Sequence, residues 1–148
     1  MKKILMVLMG LEIGGAETHV VGLSLTLKKM GWEVIVASNG GVYEETLREH
    51  GIRHFHIPAN TRRFRDMAQV YRELQRIITE EKPDVVHAHA RIPAFLCGLL
   101  QKKMGFPFVT TAHWVFRVNP LLRVLTDWGQ QTIAVSQDIR EYLIDHYD

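Results

Sequence analysis

The stretch that most constrains the fold is Ile4–Leu8 with the turn and helix next in the chain. An apolar strand runs into the turn Gly10-Leu11-Glu12-Ile13-Gly14-Gly15, and a helix opens at Ala16. In that helix Ala16, Val20, Leu23, Leu27 and Met30 recur at the spacing of a core-facing stripe. A strand that passes through glycines into a helix N-terminus suits a bound anion. Glycine lets the backbone approach closely, and the first N–H groups of a helix have no acceptor within it. The turn matches neither Gly-x-Gly-x-x-Gly nor the P-loop pattern. A dinucleotide or P-loop nucleotide site is therefore not indicated, and a plain strand-to-helix turn stays open as the competing reading.

The rest of the chain repeats the strand-then-helix alternation. Glu33–Ala37, Ile52–Ile57, Asp84–Ala88, Phe108–Thr111 and Thr132–Val135 read as strands. Between them fall a short helix over Tyr43–His50 and an amphipathic helix with Asp66 as its cap and Met67, Val70, Leu74 and Ile77 on one face. An apolar helix over Ala94–Met104 comes next, with Pro93 in its first turn, then a helix over Pro120–Gly129 and a last helix capped by Ser136. Strands alternating with helices predict an α/β fold, a Rossmann-like, doubly wound parallel sheet covered on both faces. The 148 residues fit one domain.

Composition narrows the function classes. A formal charge of +2 with scattered basic residues argues against nucleic acid as a partner. The single cysteine, Cys97, excludes an internal disulfide framework and fits a reducing compartment; its apolar helix predicts a small buried hydrophobe. No run of 18 apolar residues occurs, and Met1-Lys2-Lys3 followed by Ile4–Met9 reads better as a first strand than as a secretory signal.

Ligands of doubly wound sheets bind where the strands end at their carboxyl termini. Residues expected on that rim are Gly14 and Gly15, Ser38 to Gly41, His89 and Arg91, His113 and Trp114, and Ser136. His113 is placed to donate to a sugar hydroxyl or phosphate, or to titrate near neutral pH, with a satisfied structural histidine as the plain alternative. His87 and His89 lie on one side of a strand, with His87 expected as a hydrogen-bonded strand residue and His89 facing the cleft. No third ligand accompanies them at metal spacing, so no metal is expected. Arg62, Arg63 and Arg65 flank Phe64 in a polar loop and suit an anionic acceptor or anionic lipid heads, with a solvated loop as the plain alternative.

Four ordered motifs resemble family 4 retaining glycosyltransferases. They are Gly14-Gly15-Ala16-Glu17 with its helix and Gly31-Trp32-Glu33-Val34; Lys82-Pro83-Asp84-Val85-Val86-His87-Ala88-His89; Thr111-Ala112-His113; and Ile133-Ala134-Val135-Ser136. The resemblance implies one half of a GT-B fold, the N-terminal acceptor-binding domain. It implies donor-diphosphate contacts at Gly14 and Gly15, and His113 at the transfer centre. A sugar would move from a nucleotide-sugar to a glycan or glycolipid acceptor with retained configuration, without cofactor or obligatory metal, in the cytoplasm or at the inner membrane face. The C-terminal domain with its Glu-x7-Glu motif is expected to be missing from this chain, which would leave the isolated domain inactive. A GT-B-type sugar-nucleotide epimerase and a non-catalytic nucleotide- or glycan-binding module are the alternatives.

Overall fold

The computed structural model describes residues 1–59, 63–112 and 131–134. The described elements are β1 (Lys3–Leu8), α1 (Gly15–Lys29), β2 (Glu33–Ser38), α2 (Glu44–Glu49), β3 (Arg53–His56), α3 (Phe64–Glu81), β4 (Val85–His89), α4 (Arg91–Met104), β5 (Phe108–Ala112) and β6 (Gln131–Ala134). The six strands form one sheet in the order β3-β2-β1-β4-β5-β6, and every pair is parallel. This is the doubly wound arrangement that the alternation predicts. The helices expected over Pro120–Gly129 and after Ser136 lie outside the described residues.

Each face of the sheet has its own core, because successive strand residues point to opposite sides. Leu5, Val7, Ile35, Ala37, Val86 and Ala88 pack under α3 and α4. Ile4, Met6, Val34 and Val36 pack on the other face with α1 and with Leu47 of α2. The α3 stripe buries Val70, Leu74 and Ile77 as its periodicity requires, and Cys97 is fully buried in α4, where burial pushes its thiol far above the usual range.

Two local expectations need correction. In α1 Val20 is buried and Leu23 and Leu27 pack partly buried against the same core, as the stripe requires, but Val21 and Ser24 are buried too and Met30 is 69% exposed, beyond the end of the helix at Lys29. Asp66 does not cap α3; the helix starts at Phe64 with Arg63 at the cap position and no side-chain cap, so Asp66 lies in the first turn. An aspartate is favourable in either place, as a cap or beside the positive dipole end, so its identity alone does not fix the boundary.

At the amino ends of the strands, Glu81 from the end of α3 accepts two hydrogen bonds from Arg53, both 2.7 Å, and one of 3.1 Å from Lys3 Nζ. Glu33 is 3.0 Å from Arg53 and 3.7 Å from Lys3. The Arg53 guanidinium, with Lys3 beside it, lowers the Glu81 carboxyl to about 2. A carboxyl lowered on folding contributes stability above its unfolded value of 4.5 and loses it as pH falls toward 2. With Arg53 half exposed, the contribution is about 1 to 2 kcal/mol after screening. Glu81→Gln should therefore lower stability by about that much at neutral pH and flatten the acid limb of the stability curve below about pH 4.5, as read by urea titration across pH.

Candidate functional site

The strand order reverses direction between β1 and β4. The chain leaves β1 toward β2 and β3, then crosses back to place β4 on the other side of β1. Connections leaving these two neighbours diverge, and that opens a crevice at their carboxyl ends. Leu8 and His89 stand opposite each other there. Residues 9–14 succeed β1 and α1 begins at Gly15; Ala90 alone separates β4 from α4, which begins at Arg91. Two helix N-termini therefore border the same crevice, and both carry partial positive charge toward it.

The glycines of the turn contribute room rather than unusual dihedrals. Gly14 has φ 179° and ψ 169°, extended backbone that any residue adopts. The carboxylate of Glu17 folds back over Gly14, where a Cβ would collide with it. Above Gly15 the space is open: a Cβ there would meet nothing within 4 Å beyond its chain neighbours and its own helix backbone. The turn is held from beneath by the loop after β2. Leu11 N–H donates to the Gly40 carbonyl (2.9 Å), Asn39 N–H to Met9 (2.9 Å) and Tyr43 N–H to Leu11 (3.1 Å). Tyr43 also pairs through its hydroxyl with Thr18 Oγ1 in α1 at 3.0 Å.

Below the crevice β4 brings two imidazoles together on the α1 face. His87, 4% exposed, has Nε2 2.6 Å from Thr111 Oγ1 of β5. His89 stacks on it with ring centroids 3.9 Å apart, and His19 of α1 approaches His89 at 6.2 Å. His87 is thus the hydrogen-bonded strand residue that its position suggests. His89 is 1% exposed, which places it beneath the rim rather than facing open solvent. The sequence reading missed His19; its position one helical turn beyond Gly15 was the available signal. Among the described residues no group of three or more His, Cys, Asp or Glu is placed to hold a metal ion.

Ala90 carries the backbone strain of the site. Its φ of 144° and ψ of 163° lie in a region otherwise reserved for glycine. Such a conformation costs about 1 to 3 kcal/mol and persists only where the surroundings impose it. Ala90→Gly should raise stability by about 1 kcal/mol in denaturant titration, the relief of strain being partly offset by the freer unfolded chain.

The other expected residues divide by position. Gly14, Gly15, His89 and Arg91 come together at the crevice, with Arg91 in the first turn of α4. Arg63 and Arg65 are exposed at the start of α3, which comes after β3, two strands away from β1. Arg62, His113, Trp114 and Ser136 lie outside the described residues, although β5 ends at Ala112, immediately before His113.

Residues 13–148 match Glycosyltransferase Family 4. The chain belongs to that family. Over 91 residues it is 34% identical to EpsD of Bacillus subtilis (strain 168), a protein named as a glycosyltransferase; the match covers 58% of this chain and 23% of EpsD. Among solved structures, a glycosyltransferase from Rickettsia africae ESF-5 is similar with a TM-score of 0.82 at 22% identity, covering 99% of this chain and 40% of that one. Anabaena Alr3699/HepE in complex with UDP is similar with a TM-score of 0.77 at 17% identity, covering 99% and 41%. At these identities the structures establish the fold alone, a Rossmann-like sheet that corresponds to one half of a GT-B fold. This family 4 chain spans less than half the length of each of these three proteins.

Proposed function

We propose that this family 4 domain is the acceptor-side half of a retaining glycosyltransferase, and that its glycine turn receives the diphosphate of a nucleotide-sugar donor. The observation that carries this reading is the open backbone above Gly15, at the start of a 15-residue helix and beside a second helix N-terminus. Such ends present N–H groups and positive dipole to an anion. In a leaving-group role they would stabilise the charge that builds on the departing diphosphate. Arg91 is the first residue of α4, at the same crevice.

His113 is the proposed residue at the transfer centre, next in sequence after the end of β5. The acceptor is a glycan or glycolipid hydroxyl, and Arg62, Arg63 and Arg65 suit an anionic portion of it or an anionic lipid surface. Transfer itself needs a second domain to grip the nucleotide, in keeping with the share of the solved relatives that this chain spans.

Calorimetry with UDP and GDP tests the division of labour. The 148-residue chain should bind weakly, and affinity should tighten by about tenfold or more when a donor-binding domain is joined to it. Micromolar binding by the chain alone would favour a free-standing binding module instead. In the two-domain enzyme His113→Ala should lower turnover by about tenfold or more without changing the denaturation midpoint. Unchanged turnover would remove His113 from the site.

A further inference from the structure

Behind the glycine turn lies a chain of three side chains that the site does not use directly. Ser38 ends β2 and is fully buried. Its Oγ is 2.7 Å from His54 Nε2 on β3, and His54 Nδ1 is 3.3 Å from Glu44 Oε1 at the start of α2. The outer members of the chain also hold backbone: Gly40 N–H donates to Ser38 Oγ at 3.0 Å, and Gly41 N–H to Glu44 Oε2 at 3.0 Å. Gly40 is the residue whose carbonyl receives the Leu11 N–H of the turn. Ser38 is too deeply buried to act as a nucleophile on an incoming ester, so the arrangement is not a hydrolase triad.

The network fixes the tautomer. A hydroxyl that accepts the Gly40 N–H has its own proton to give, and His54 Nε2 is its acceptor, which leaves Nδ1–H directed at the Glu44 carboxylate. A proton added to His54 would convert Nε2 into a donor. The Ser38 oxygen would then face two N–H donors, and its own proton would lose its acceptor inside a buried site. Meanwhile Glu44 would gain a full positive partner and draw toward it, with the Gly41 N–H attached.

We infer that the Ser38–His54–Glu44 chain is a proton-sensitive clamp on the glycine turn, with His54 a positioning residue whose protonation shifts residues 38–41 and through them Leu11–Gly15. Its consequence for the donor rests on the phosphate-binding reading above. Solvent reaches His54 through an open groove of about 760 Å³ between α2 and β3. Burial holds the imidazole below its ordinary value, the Glu44 carboxylate partly restores it, and the neighbouring His56 pushes it down again. The remaining charged groups lining the groove are Glu45 and Arg48 on α2, which pair with each other, and Arg53 on β3, which is held by Glu81 and Glu33. Because folding lowers the imidazole, His54 contributes stability above its unfolded value of 6.5 and loses it as pH falls below that.

The test is a pH titration of the 148-residue chain by NMR from about pH 8 to about pH 5, tracking the His54 ring and the backbone amides. The amides of Leu11, Gly14, Gly15, Gly40 and Gly41 should share the His54 midpoint, and His54→Gln should abolish that step in all five. Flat turn amides, or a step that survives His54→Gln, overturn the clamp. Should His54→Gln fail to fold, the exposed Glu44→Gln serves: losing its carboxylate should lower the His54 midpoint and carry the turn amides down with it, and turn amides that stay put overturn the proposal. A parallel UDP titration separates the two readings. The ligand's own phosphate titrates equally against wild type and His54→Gln, so wild type should lose about threefold more affinity than the variant between about pH 7.5 and about pH 5.5. Shared midpoints without any UDP binding would keep the clamp and discard the phosphate site.

Discussion

Gly41→Ala should destabilise the domain by about 3 kcal/mol or more, a large share of the roughly 5 to 15 kcal/mol that holds a domain of this size together. Two costs coincide at this residue. Its φ of 153° is one that side-chain-bearing residues rarely adopt, and a Cβ there would stand 2.5 Å from the Leu11 carbonyl carbon and 2.7 Å from Glu12 N. Those neighbours are backbone atoms of the turn after β1, so no side chain can swing aside. Relief requires the loop after β2 and the turn to separate, breaking the Leu11–Gly40 and Tyr43–Leu11 hydrogen bonds. Gly105→Ala is the internal control, because that glycine also has positive φ, 78°, but its Cβ would meet nothing within 4 Å. It should cost only about 1 kcal/mol, the conformational part alone. Guanidinium titration of both variants decides the matter. Equal losses would mean that the loop does not press on the turn as described.

Much of this architecture is written in the sequence because it depends on local periodicity. Ile4–Leu8 and Val34–Ala37 are continuous apolar runs, which is what strands covered on both faces require. Val70, Leu74 and Ile77 announce the buried side of α3, and the carboxyl-end rule then collects Gly14, Gly15, His89 and Arg91 at one crevice. What escaped depends on the pairing of segments far apart in the chain. His54 shares a strand face with buried Ile52, but only the register Val36↔His54 brings it against Ser38. His19 meets His89 only because α1 lies on the face to which β4 turns both its imidazoles. His89 itself is in the expected element at the expected end, and its burial could not be read because depth below the rim is set by α1, not by β4. The strain at Ala90 is likewise invisible in composition: an alanine between two polar residues gives no hint that its backbone takes a glycine conformation.

Gly15→Asp should move stability and binding in opposite directions, which separates the phosphate-site reading from a purely structural turn. Gly15 is the first residue of α1, its φ is not positive, and the space above it is open, so an aspartate enters without a clash. A carboxylate in a first turn gains about 0.3 to 1 kcal/mol from the helix dipole, and replacing glycine also stiffens the unfolded chain. The variant should therefore be as stable as the native protein or slightly more so. The same carboxylate would occupy the open position proposed for the diphosphate and repel it. Two negative groups within contact distance cost several kcal/mol in a partly desolvated crevice, so UDP affinity should fall by about a hundredfold. Gly15→Asn adds nearly the same volume without charge, and its smaller loss would measure the steric share. If Gly15→Asp binds UDP as the native chain does while remaining folded, the diphosphate does not lie over α1, and the glycines there serve only to turn the chain from strand to helix.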